Sequence, residues 1–306
     1  MTAPSNPAKS AVLLLAHGSP DSVDEVPEFL LQVTGGRPLP PPVIEEVKHR
    51  YSLIGRSPLT ELTLKQGELL AQELGLPVYV GMRNWKPFIA DAVRTMVSDG
   101  VTRAGVICLA PQNSRTSVGL YRSALTSNNS IPFSIEFVES WHDHPLLIQA
   151  FAQKLTAGWE RACRDLGAKA PIIFTAHSVP QRTIAEGDPY ESQAKETASL
   201  VAKQASLPSA DWEFAFQSQG MSGGAWLGPT VESTILRLKE KGHSGVFIQP
   251  IGFLCDHVEV LYDIDIGFRQ FAEKEGLRLW RADSLNDSPL LAKALADVAR
   301  SRLTTT

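Results

Sequence analysis

Cysteine is scarce in this chain: Cys108, Cys163 and Cys255 are the only three, and they lie too far apart to form a CxxC pair. That spacing excludes a disulfide framework and a cysteine-rich zinc or iron–sulfur site, and it suits a reducing cytoplasm. Long apolar runs are missing too. The run over residues 11–16 is far below the ~20 residues of a membrane-spanning helix, and the polar MTAPSNPAKS around its start has no signal-peptide cleavage pattern. A loose N-terminal arm leading into a buried strand is expected, with no transmembrane segment. Lysine and arginine form no cluster, and the net charge is −4, so a nucleic-acid or anionic-membrane surface is disfavoured and a small-molecule ligand favoured. Neither the GK[ST] of a phosphate loop nor a GxGxxG before a helix occurs.

What is present is a rhythm. Apolar runs bounded by turn residues occur at AVLLLAHGSP (11–20), LPVYVGMRNW (76–85), AGVICLAPQ (104–112) and FSIEFVES (133–140), with amphipathic stretches between them. The rhythm returns at PIIFTAHSVP (171–180), WEFAFQSQG (212–220), SGVFIQPIGF (244–253) and GLRLWRAD (276–283). Apolar strands alternating with helical patterns specify βαβ units and parallel sheets. The chain is therefore α/β, with two similar Rossmann-like domains, each a parallel sheet flanked by helices, and a cleft between them. Their likeness extends to detail, because AHGSP (16–20) and AHSVP (176–180) each follow a buried run. We expect domains over 1–150 and 151–306, divided on a helix near 145–165, with the final helix, near 287–303, able to pack on either domain. Ligands of open α/β sheets bind at the carboxyl ends of the strands, where both AHxxP segments fall.

Three constellations could carry chemistry there. His177 leaves a buried strand toward the expected cleft, although a histidine hydrogen-bonded to a neighbouring loop would look the same. In PIGFLCDHVEVLYDID (250–265) a strand ends and a helix is expected to begin with Asp256 as N-cap. Glu259 and Asp263, four residues apart, then share one face, as a hydrated cation would require, although the helix dipole alone also favours acids in a first turn. Third, the glycine-rich loop of FQSQGMSGGAWLGPTVES (216–233) lets backbone approach a flat ligand, with Trp226 either covering it or anchoring the core.

Taken together, AHSVP and PIGFLCDHVEVLYDID resemble the catalytic-histidine and catalytic-glutamate segments of the ferrochelatase family. IGRSPLTELT (54–63), GMRNWKPF (81–88), PQNSRTSVGLYRSA (111–124) and the loop from Gln217-Ser218 to Trp226-Leu227-Gly228-Pro229 resemble further family segments, in family order. The resemblance implies a lyase-class chelatase that inserts Fe²⁺ into a porphyrin in haem biosynthesis. A porphyrin loses two N–H protons as iron enters, so a base and an imidazole–carboxylate ligand set are needed. By this resemblance His177 and Glu259 hold metal and take protons, Asp263 extends an acidic track, and Arg50, Tyr51, Ser57, Tyr121 and Trp226 contact porphyrin. His17 is a candidate axial ligand where several bacterial relatives carry tyrosine. Iron is substrate, so no cofactor is required, and no iron–sulfur cluster is expected. Porphyrin and ferrous iron are the small-molecule partners, with transient contact to other haem-pathway enzymes.

The loop of seven residues between Ser218 and Trp226, with Gly220 second, resembles that of the coproporphyrin-using bacterial enzymes, so coproporphyrin III is favoured over protoporphyrin IX. Two rival readings are a cobalt or nickel chelatase for another tetrapyrrole, which usually relies on more histidines, and a non-catalytic haem or porphyrin carrier. The close pair His142 and His144 lies away from AHSVP and reads as a loop feature.

Overall fold

A computed structural model describes residues 9–127, 131–219 and 224–303. The expected N-terminal arm over 1–8 and Gly220 of the glycine-rich loop lie outside the described residues. The first half contains β1 (Ser10–Ala16), α1 (Val26–Val33), α2 (Pro41–Ile54), α3 (Leu59–Leu74), β2 (Val78–Met82), α4 (Ile89–Ser98), β3 (Arg103–Cys108), α5 (Val118–Thr126) and β4 (Ser134–Val138). The 22-residue helix α6 (Pro145–Leu166) follows. The second half has β5 (Ile172–His177), α7 (Gln181–Ala185), α8 (Tyr190–Gln204), β6 (Trp212–Gln217), α9 (Val231–Glu240), β7 (Gly245–Pro250), α10 (Val258–Leu261), α11 (Arg269–Lys274), β8 (Arg278–Arg281) and α12 (Pro289–Leu303).

Each half is a four-stranded parallel sheet, ordered β2-β1-β3-β4 and β6-β5-β7-β8. Relative to its own first strand, the order is the same in both halves. The inner strands are near-continuous apolar runs because helices cover both faces of a parallel sheet: residues 11–16 of β1 and 172–176 of β5 are all buried.

The halves share a core. One buried cluster joins Val12, Leu14 and Leu70 of the first half to Ile172, Phe174 and Phe247 of the second, with Leu147 and Phe151 of α6 and Leu291 and Leu295 of α12 between them. The closing helix α12 packs against α3, α6, β3 and β4, so the last segment of the chain lies on the first sheet.

Candidate active site

His17 and His177 stand at equivalent places, directly after β1 and at the end of β5. Strand order puts β1 and β5 second in their sheets, beside the crossover to β3 or β7 where the topology reverses, and a crevice opens at the carboxyl ends of strands at such a point. The turn after His17 requires glycine. Gly18 has φ +85°, and a Cβ there would meet Trp85 Cβ and N at 2.8 Å. In the second half Ser178 takes this place, fully buried, its hydroxyl donating to the Leu227 carbonyl at 2.9 Å.

Between the two histidines lies a cavity of about 450 Å³. His17, Arg83, Gln112 and Tyr121 line it from the first half; His177, Tyr190, Trp226, His257 and Glu259 line it from the second. The His177 Nδ1–H donates to the Ser178 carbonyl, which leaves Nε2 facing Glu259 Oε1 at 3.8 Å. Glu259 Oε2 lies 3.7 Å from His257 Nε2, and the His257 Nδ1–H donates to the Cys255 carbonyl at 3.0 Å. Tyr190 donates to the backbone carbonyl of His177 at 3.0 Å. Trp226 is held against the histidine loop by an antiparallel bridge to Pro180 and by Leu227 N–H donating to the Val179 carbonyl at 3.0 Å.

The two walls differ electrically. Burial would raise the Glu259 pKa, but His177, His257 and His17 outweigh it and hold the carboxyl at about 2, an anion at any physiological pH. His257 is raised instead, since the pull of Glu259 overcomes its burial. His17 opens onto the cavity with its Nδ1 bonded to the Gly18 carbonyl at 3.0 Å. Burial, reinforced by Arg83, overcomes that bond and lowers its pKa to about 4, so its imidazole is neutral. Arg83 makes no ion pair among the described residues and lies over the Tyr121 ring, 5.9 Å from its centroid. Burial pushes the Tyr121 hydroxyl well up, so it stays protonated.

Asp263 is set back from the cavity wall. It accepts a hydrogen bond from Ser218 Oγ and lies 3.7 Å from Arg50 Nη1. Burial, with Glu259 nearby, raises its pKa. Arg50 reaches it from α2, also pairing with Glu46 at 3.0 Å and lying 5.1 Å from the Tyr262 ring centroid. Tyr51 is 3% exposed and bonded to Ser19 at 3.1 Å, and Ser57 is 2% exposed; both are packed behind the wall. The structure thus gathers His17, Tyr121, His177, Trp226 and Glu259 around one space and leaves Arg50, Tyr51, Ser57 and Asp263 outside its lining.

One local expectation is corrected. Asp256 is not the N-cap, because α10 begins after His257. The Asp256 side chain turns away to accept from Ser284 Oγ at 2.7 Å and Asn286 Nδ2 at 2.9 Å. The helix also breaks: residues 263–268 form a wide π-turn, Gly267 N–H reaching the Tyr262 carbonyl at 2.8 Å, before α11 resumes. Such turns recur at functional sites. His142 bonds Ser140 Oγ at 2.7 Å and Glu196 at 3.0 Å, tying the end of the first sheet to α8.

Comparison with known proteins meets this geometry from the other side. The sequence model of the Ferrochelatase family matches residues 9–303. The chain belongs to the ferrochelatase family. It is 56% identical to the ferrochelatase of Acidobacterium capsulatum, over 96% of this chain and 95% of that one. It is 34% identical to the coproporphyrin III ferrochelatase of a Geobacillus species, over 96% and 98% of the two chains. Among solved structures, SirB from Bacillus subtilis with Fe³⁺ matches with a TM-score of 0.57 over 97% of this chain and 96% of that one, at 13% identity, which supports the chelatase architecture alone. Family membership makes the chain a lyase-class metal chelatase of haem biosynthesis, with porphyrin and iron as substrates. Among the described residues no helix is long and apolar enough to cross a membrane.

Sequence reasoning passed over Arg83, Tyr190 and His257. Arg83 lies inside the quoted GMRNWKPF segment and His257 two residues before Glu259, so proximity to a motif was the available signal. Tyr190 opens a helix with nothing local to mark it.

Proposed function

We propose that this ferrochelatase inserts Fe²⁺ into coproporphyrin III in the cytoplasm, with His177 and Glu259 as the residues that meet the metal and take the pyrrole protons. The observation that carries this reading is the facing of His177 Nε2 and Glu259 Oε1 at 3.8 Å on the cavity wall. An imidazole nitrogen open to the cavity can serve as ligand or as base, and an adjacent carboxylate held anionic neutralises part of the incoming charge. Two open donors bind a divalent ion without enclosing it, so the ion can pass on to the macrocycle nitrogens. As the Fe–N bonds form, the two displaced N–H protons need acceptors at the cleft wall, and His177 Nε2 and the Glu259 carboxylate are the bases placed there. Trp226 and Tyr121 supply aromatic surface on opposite halves, suited to a flat macrocycle. His17 offers a neutral nitrogen from the other half, the candidate axial donor.

The loop spacing between Ser218 and Trp226 and the likeness to a relative named for coproporphyrin III support the substrate. Four propionates against two distinguish coproporphyrin from protoporphyrin. The deciding measurement compares anaerobic insertion rates for coproporphyrin III and protoporphyrin IX, followed by absorbance. A kcat/KM favouring coproporphyrin by about tenfold or more, roughly 1.4 kcal/mol, is expected; equal or reversed preference refutes the substrate. His177→Ala should abolish insertion and leave porphyrin binding measurable, and an active variant refutes the role of His177.

A further inference from the structure

The segment carrying Glu259 has little stability of its own. Helix α10 is four residues long, and a π-turn follows it at once. One isolated helical turn fixes many dihedrals for few hydrogen bonds, so its orientation has to be imposed from outside. Gln217 Nε2 holds the middle by donating to the Glu259 carbonyl at 3.1 Å. The two ends are held by one side chain. Arg281, on β8, donates from Nε to Asp265 Oδ1 at 2.8 Å and from Nη2 to Asp265 Oδ2 at 2.7 Å, while its Nη1 lies 3.3 Å from Asp256 Oδ1. Asp256 and Asp265 bracket the stretch that bears Glu259 and Asp263. The Arg281 side chain is only 12% exposed, and burial in such a site demands partners of this quality.

The far side of the clamp reaches the first half. Asp256 also accepts from Asn286 Nδ2 and its N–H donates to Asn286 Oδ1 at 2.9 Å. The Asn286 carbonyl accepts from Gln66 Nε2 of α3 at 2.6 Å. The chain of contacts therefore runs from α3 through Asn286, Asp256 and Arg281 to Asp265.

We infer that Arg281 is a positioning residue for metal insertion: its fork fixes both ends of residues 256–265 and so sets the Glu259 carboxylate opposite His177. This rests on the reading of Glu259 as the metal-side carboxylate. Lysine keeps the charge but loses the planar fork that grips two carboxylates at once.

The test uses the full chain, Zn²⁺ as the inserted ion and coproporphyrin III, with Arg281→Lys made in the wild-type and Glu259→Gln backgrounds. Displacement of a reacting group by about 1 Å can cost about 10²-fold in rate, so R281K should lower kcat by about 10- to 100-fold with the porphyrin KM within about threefold. Asp265→Asn should reproduce the loss, and adding R281K to it or to E259Q should lower the rate by less than about twofold further, since all act through one group. A kcat for R281K within about twofold of wild type, or losses that multiply fully in the D265N background, overturns the inference. A wild-type rate for E259Q, with R281K still impaired, would instead place the fault in the assignment of Glu259.

Discussion

Replacing Gly252 by alanine tests whether the position of His177 depends on the close approach of two strand ends. A Cβ at residue 252 would lie 3.0 Å from both Cα and Cβ of Ala176 and 3.5 Å from the His177 N. Carbon atoms settle at about 3.5–4.0 Å, and here one neighbour is backbone, so the end of β5 must move by roughly half an ångström. Overpacking of that kind costs about 1–3 kcal/mol, equivalent in a chain of this length to a fall in Tm of about 2–6 °C. The displacement falls on the residue before His177, whose Nε2 stands 3.8 Å from Glu259, so insertion should suffer more than folding: kcat lower by about 10-fold, porphyrin affinity within about threefold. Thermal unfolding and anaerobic insertion kinetics on the same preparation read both quantities. A variant with wild-type Tm and wild-type kcat would refute the claim that this approach sets the histidine.

The depressed pKa of His17, about 4 against 6.5, means the unfolded chain binds more protons between those values, so stability falls as pH drops from 6.5 toward 4. His17→Ala should flatten the Tm–pH curve in that window and leave the fall below pH 4.5, where Glu259 begins to titrate in the unfolded chain, in place; an unaltered slope between 6.5 and 4 would contradict it. Leu295 of α12 is fully buried in the core shared by both halves, so Leu295→Ala should cost about 2–5 kcal/mol. Calorimetry should show the two halves melting in one shifted transition, and two separated transitions would show that α12 does not couple them.

Why some of this was legible in the sequence and some was not follows from the range of the interactions. The eight strands were visible because buried parallel strands are apolar runs cut by turns, a local property. His177 and Glu259 were visible because each sits at a strand exit or within a motif of its own. Asp256 misled, since an acid before a helical pattern usually caps it, whereas here Ser284, Asn286 and Arg281 claim its side chain from about 25–30 positions away. The π-turn at 263–268 leaves no mark on the apolar spacing. Tyr51 is buried among Phe29, Trp85 and Ser19 and Ser57 is buried just before α3, which no spacing rule reports.

The repeated strand order does not extend to the charges that line the cleft. The two sheets place matching histidines, yet their neighbours are opposite in sign: His177 stands beside an anionic Glu259, and His17 lies near the cation of Arg83, which makes no ion pair among the described residues. A fold symmetric in its backbone thus encloses a field with a direction. A divalent cation in the cleft is drawn to the Glu259 carboxylate and repelled by Arg83. The symmetry survives as architecture, while the carboxylate on the cavity wall belongs to the second half and the guanidinium to the first.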